Sequence, residues 1–141
     1  MIAPNIAATD AYALTSVFTN GTATGANPRD GVPIMGKSGT TDGSYQNWLI
    51  GSTTKVAIAV WVGNIKGDPA KRTAKNPGGE QSLRRVSIGG TNGANVKLVV
   101  FKAMLQSFNA NPAYRGTAFP APDPALVSGK GSASTDSRIP R

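Results

Sequence analysis

Three strand-like runs, at residues 32–41, 46–52 and 56–63, are separated only by Asp42-Gly43-Ser44-Tyr45, whose first three residues are a turn signal, and Thr53-Thr54-Lys55. Links this short constrain the fold more than any other feature. A parallel return needs a crossover of about a dozen residues, so the three runs must form an antiparallel meander. The third run, Val56-Ala57-Ile58-Ala59-Val60-Trp61-Val62-Gly63, has β-branched and aromatic residues throughout. Side chains alternate along a strand, so Ile58, Val60 and Val62 share one face while Ala57, Ala59 and Trp61 share the other. Both faces are apolar. That predicts a strand covered on both sides, with Trp48 and Trp61 in the core.

Helical spacing flanks the meander. Residues 5–19 place Ile6, Tyr12, Val17 and Phe18 on one side, with Asn5 or Thr9 as cap. Asn20-Gly21 ends this helix, with the glycine in the left-handed position. Residues 22–31 carry turn signals at Gly25, Asn27-Pro28 and Asp30-Gly31. Residues 92–109 predict a second helix with Val96, Val99, Val100, Ala103, Met104 and Phe108 on its apolar side and Lys97 and Lys102 off it. Asn111-Pro112 stops it. The link at 63–92 is long, basic and Gly-rich, and a loop of that length is usually functional or disordered. These elements predict an α+β fold, a three-stranded antiparallel sheet with helices packed on it. It occupies residues 1–116, and residues 117–141 form a Pro/Gly/Ser-rich flexible tail. The chain has no internal repeats.

Composition narrows the chemistry. The 141 residues include no His and no Cys. Histidine bases, thiol nucleophiles and the usual zinc ligand sets are excluded together, and no metal or cofactor is expected. The seven acidic residues are scattered, which argues against a paired-carboxylate centre. Lys, Ser, Thr, Tyr and backbone amides remain, the set that a Ser/Lys acyl-transfer enzyme uses. The net charge is +8, with Lys66, Lys71, Arg72, Lys75, Arg84 and Arg85 set against Asp68 and Glu80 in the long loop. Such a stripe reads first as a solvated loop, and it also suits anionic wall polymer, nucleic acid or lipid head groups. No aromatic residue interleaves with it, so stacking on nucleic-acid bases is not expected. The N-terminus is not a signal peptide, and no apolar run approaches the roughly 20 residues of a membrane helix.

Gly36-Lys37-Ser38-Gly39-Thr40-Thr41 carries the chemistry. In a strand, Ser38 and Thr40 point one way and Lys37 and Gly39 the other. The two hydroxyls can hold one carboxylate, with Thr41 beside them. Lys37 brings an ammonium to the cleft. Gly39 lets an extended substrate add at the strand edge. The Thr40 N–H then faces a developing oxyanion. Lys-Ser-Gly resembles the third motif, K-T-G, of the penicillin-recognising serine enzymes, which also carry S-x-x-K.

The longer pattern is more specific. Gly21-Thr22-Ala23-Thr24 precedes the motif, and Asn47-Trp48-Leu49-Ile50-Gly51 and Val60-Trp61-Val62-Gly63 follow it. Together they resemble the C-terminal part of the transpeptidase domain of class A (bifunctional) penicillin-binding proteins, well over residues 5–65 and loosely over 90–122. Phe119-Pro120-Ala121-Pro122 resembles the segment after the family's last helix, which packs briefly and then leaves. Departures are Ser38 for the commoner Thr, Gln46-Asn47 where an Asp often precedes the Trp, and Gly51-Ser52 for Gly-Tyr.

The resemblance implies a penicillin-binding-protein/serine β-lactamase-like fold, of which this chain is a C-terminal fragment. It assigns catalytic roles to Lys37 and Thr40 and substrate binding to Ser38, Gly39, Thr40 and Thr41. The implied partners are peptidoglycan stem peptides ending in D-Ala-D-Ala, β-lactams and the upstream part of the same protein. The implied location is the extracytoplasmic face of the cell membrane, held by an N-terminal anchor outside this chain, with a glycosyltransferase domain upstream. Ser52-Thr53-Thr54-Lys55 and Ser107-Phe108-Asn109 fit the family's other two motif patterns but come after Lys37, the wrong order, and are read as chance. The nucleophile is therefore expected upstream of Met1, and the fragment alone is expected to be inactive. Two alternatives stand beside this reading: a related serine β-lactamase or D,D-carboxypeptidase, and a non-enzymatic basic module that binds wall polymer or nucleic acid.

Overall fold

The computed structural model describes residues 2–63 and 67–129. Helix α1 (Pro4–Thr19) starts with proline in its first turn, where the missing N–H costs nothing. Neither Asn5 nor Thr9 caps it. Ala3 is the N-cap, Asn5 Nδ2 donates to Asp123 Oδ2 at 3.1 Å, and the Thr9 hydroxyl donates to Asn5 O at 2.8 Å. Asn20 and Gly21 end the helix by donating their N–H groups to Ser16 O at 2.9 and 2.8 Å. Gly21 is not left-handed, contrary to expectation. A Cβ there would lie 2.9 Å from Val17 Cα, so close packing of the chain on itself demands the glycine. Ala8, Ala11 and Phe18 are buried, whereas Ile6 and Tyr12 are exposed.

Strands β1 (Met35–Thr40), β2 (Gln46–Ser52) and β3 (Ala57–Gly63) form an antiparallel sheet in the order β1-β2-β3. The meander is as its short links require. β1 is shorter than the 32–41 run. Residues 32–34 lead into it, with Val32 and Ile34 buried and Pro33 unable to donate to a ladder. Lys37 faces Ile50, Ser38 faces Leu49, Gly39 faces Trp48 and Thr40 faces Asn47.

One sheet face carries the core. Leu49, Ile58 and Val60 pack with Phe18, Ala23, Ala26, Ile34, Phe101 and Leu105. The other face is open: Trp48 is 44% exposed, Ile50 51% and Trp61 38%. The expectation that β3 is covered on both sides, with both tryptophans in the core, therefore fails among the described residues. Alternation reports that a face is apolar and not whether its cover lies in the same chain.

Helix α2 (Val96–Ala110) lies over β2 and β3. Its buried stripe is Lys97, Phe101, Leu105 and Asn109, each four residues from the next. Val99, Val100 and Met104, expected inside, are exposed, and Lys97, expected outside, is buried. Asp30 locks the far end of this helix. Its carboxylate accepts from Asn109 Nδ2 at 2.8 Å and from the Val32 N–H at 3.1 Å, and its carbonyl accepts from Arg115 Nη2 at 2.8 Å. Asn109 is 2% exposed. Asp30→Ala is expected to lower stability by about 1–3 kcal/mol because it strands that amide. The urea midpoint should fall with the slope unchanged.

The basic loop is built from short turns. Pro69–Lys71 and Leu83–Arg85 are 3-10 turns, and β4 (Ser87–Ile88) pairs with β5 (Thr91–Asn92) in a hairpin. Gly89 and Gly90 supply its two positive φ angles. Lys66 lies outside the described residues. Residues 117–129, read above as the start of a flexible tail, make specific contacts. Thr117 N–H donates to Thr54 Oγ1 at 2.8 Å and Asp123 N–H to Thr9 Oγ1 at 3.1 Å. Asp123 then caps the short helix α3 (Pro124–Val127). Residues 130–141 of the expected tail lie outside the described residues. No helix among the described residues is long and apolar enough to cross a membrane.

Candidate functional site

The site grows from the phase of β1. The Thr41 N–H donates to Gln46 O at 3.0 Å, which makes residues 41 and 46 a hydrogen-bonded pair. Pairing alternates along an antiparallel ladder. Lys37, Gly39 and Thr41 therefore turn their backbone groups toward β2. Ser38 and Thr40 turn theirs toward the outer edge, which no strand pairs among the described residues. The Ser38 carbonyl is already engaged there by Lys37 Nζ, at 3.0 Å.

Side chains follow the same alternation. Ser38 and Thr40 lie on the core face with Leu49 and Asn47, and Lys37 lies on the open face with Ile50. Thr41 takes no part in either set. Its hydroxyl accepts the Gln46 N–H at 3.0 Å and holds the β1–β2 turn. The two glycines differ in kind. A Cβ on Gly36 would collide with the Ile50 carbonyl, so packing requires that glycine. A Cβ on Gly39 would meet only Trp48 Cβ at 3.5 Å, an ordinary contact, so nothing within the chain demands glycine there.

A cavity of about 240 Å³ opens where the core face of β1 meets the start of α2. Thr22, Ser38, Thr40, Asn47, Arg84 and Lys97 line it, and no acidic residue does. Thr22 Oγ1 and Ser38 Oγ share a hydrogen bond of 2.6 Å, and Lys97 Nζ donates to Thr40 Oγ1 at 3.3 Å. Lys97 is 6% exposed, and burial pulls its pKa below the usual lysine value of 10.5. Asn47 is 1% exposed, and neither its Oδ1 nor its Nδ2 has a partner among the described residues.

The pH consequence has a definite sign. Between the lowered folded-state pKa of Lys97 and 10.5, the unfolded chain holds a proton that the folded chain has released. Stability therefore rises with pH across that window and is flat below it. Arg84 lines the same cavity. Thermal unfolding between pH 7 and 10.5 should show the rise, and Lys97→Met should remove it.

The other two motif matches stand apart from this cavity. Ser52 ends β2 and Thr53 Oγ1 accepts the Lys55 and Val56 N–H groups, so Ser52-Thr53-Thr54-Lys55 is a strand end and a hairpin turn. Ser107 is exposed near the end of α2, and Asn109 belongs to the Asp30 lock. Lys97, Arg84 and Asn47 were not legible as site residues. The available signals were the register that sets Asn47 against Thr40 and the four-residue step from Lys97 to Phe101. The chain matches no protein-family model, no curated protein and no solved structure.

Proposed function

We propose that this chain is part of a penicillin-recognising serine acyltransferase, with β1 as the strand that receives the substrate. Within that class, the sequence pattern favours the C-terminal part of a class A D,D-transpeptidase that cross-links peptidoglycan stem peptides. One observation carries the reading: an edge strand offers the Thr40 N–H outward and sets the Ser38 and Thr40 hydroxyls on one face.

In this reading a serine upstream of Met1 attacks the carbonyl of the D-Ala-D-Ala bond. The Thr40 N–H stabilises the oxyanion, D-alanine leaves with a proton, and an acyl-enzyme forms. An amine of a neighbouring strand then takes the acyl group and regenerates the serine. Lys37 adds positive potential at the cleft. β-Lactams acylate the same serine. The intact protein works at the outer face of the cell membrane through an N-terminal anchor, and needs no cofactor.

Labelling with a fluorescent penicillin tests this, on the chain alone and on the chain joined to its upstream reading frame. The longer protein should label, on a serine before Met1, and the chain alone should not. Labelling at Ser52, or of neither protein, overturns the proposal. A basic polymer-binding module is the second reading, favoured by the exposure of Lys71, Arg72 and Lys75. Its affinity would fall steeply with salt and would survive loss of Lys37.

A further inference from the structure

We propose that a second cavity, between the β1–β2 turn and the basic loop, binds a phosphodiester-linked polyol, with Arg84 and Arg85 gripping the phosphate oxygens. Assigning that ligand to an anionic wall polymer rests on the functional reading above. The phosphate site itself rests on the cavity.

The cavity measures about 500 Å³, within the roughly 300–1,000 Å³ of small-molecule sites. Lys71, Arg84 and Arg85 line it against one acid, Glu80, which leaves a net charge of +2. The Glu80 carboxylate folds back over the loop: a Cβ on Gly78 would lie 2.6 Å from Glu80 Cδ. Among the described residues neither guanidinium has a carboxylate partner, and Lys71 pairs only with Asp68, at 3.4 Å. Both members of that pair are well exposed, so it is weak and yields to a better anion.

The loop holds these charges in place. Asn76 is 7% exposed and closes one turn: its Oδ1 accepts the Glu80 N–H at 3.2 Å and its Nδ2 donates to Glu80 O at 2.8 Å. Residues 67–68 cross residues 78–79 at close range. The Asp68 N–H donates to Gly79 O at 2.9 Å, and a Cβ on Gly67 or on Gly79 would strike the backbone of the other segment. The Ser82 hydroxyl donates to Gly43 O and ties the loop to the β1–β2 turn. Cations on so fixed a frame form a site, where the same cations on a free loop would form only a diffuse field.

The wall selects the ligand. Arg84 and Arg85 are neighbours on one 3-10 turn, and each planar fork matches two oxygens of a phosphate. Tyr45, Gln81 and Ser82 add a phenol, an amide and a hydroxyl, groups that pair with polyol hydroxyls. Tyr45 is the single aromatic among the described residues of the wall, so nucleobases find no run of stacking platforms there.

The test is a two-dimensional amide NMR titration of the chain at constant ionic strength. The probes are a short poly(glycerol phosphate), glycerol 3-phosphate and an oligothymidylate with as many phosphates as the polymer. Saturable shifts at Tyr45, Gln81 and Arg85 are expected with the polyol polymer, and weaker ones with the other two. Arg85→Gln and Lys71→Gln should each weaken polymer binding about tenfold. Arg72→Gln removes the same charge from the same loop outside the cavity and should weaken it under about threefold. Equal losses in all three variants would overturn the site in favour of diffuse charge. Oligothymidylate binding as tight as the polymer's would overturn the polyol assignment, and equal binding of glycerol 3-phosphate would overturn the polymer. Response to none of the probes would overturn the site itself. Arg84 also lines the cavity beside β1, so Arg85, which does not, is the cleaner variant. Arg85 and Lys71 are exposed, and their variants should stay folded. Penicillin labelling reads the upstream serine and not this cavity, so failure of the site and failure of the transpeptidase reading are separable.

Discussion

Lys37→Ala, introduced into the chain joined to its upstream reading frame, is expected to slow penicillin acylation by about 10²–10³-fold, the loss typical of one preorganised group that stabilises developing charge. Stability should change by less than about 0.5 kcal/mol, because the side chain is exposed and its one bond, to the Ser38 carbonyl, sits at the open strand edge. The split between the two readouts is what makes the variant informative. A residue that merely shaped β1 would move both. A charge used in the chemistry moves only the rate. Lys37→Arg restores the charge without the compact ammonium and should recover little. Time-resolved labelling on a gel measures the rate, and a change under about threefold would end the transpeptidase reading.

Phe101→Ala should give the largest stability loss, about 3–5 kcal/mol. Phe101 is fully buried, with its ring 5.3 Å from that of Phe18 and tilted by 36°. Both rings seat over Gly51, where a Cβ would lie 2.8 Å from each. The aromatic pair and the glycine are one unit. Truncating a ring leaves a void that the flat glycine floor cannot fill, and adding a methyl at Gly51 pushes both rings away. Against the roughly 5–15 kcal/mol that holds a typical domain, the loss would leave the chain marginal. Denaturant unfolding followed by circular dichroism measures it. A loss under about 1 kcal/mol would mean that α2 does not dock on the sheet through Phe101.

The sheet was readable because its information is local. Asp42-Gly43-Ser44 and Thr53-Thr54-Lys55 are too short for anything but tight reversals, and alternation then fixes which residues share a face. The α2 stripe was not readable, for a physical reason. That helix carries two apolar stripes, one through Leu98, Phe101, Leu105 and Phe108 and one through Val96, Val99, Val100, Ala103 and Met104. Helical period alone does not choose between them. The glycine floor at Gly36 and Gly51 does, since it admits aromatic rings, and that floor exists only once the strands are paired. Choosing the Phe101 stripe carries Lys97 inward beside Thr40. The neighbourhood of Ser38 and Thr40 was thus half visible: the strand motif stood in the sequence, while the cations and amide that complete the cavity arrived through tertiary packing.

The two tryptophans of this chain, Trp48 and Trp61, both sit on the open sheet face. Its intrinsic fluorescence therefore watches one surface and ignores the Phe18–Phe101 interior. Emission from the folded chain should resemble that of wet indole and change little on denaturation. A shift to shorter wavelength would signal that another surface has come down on the sheet. The chain carries a built-in optical gauge of docking, one that needs no added dye.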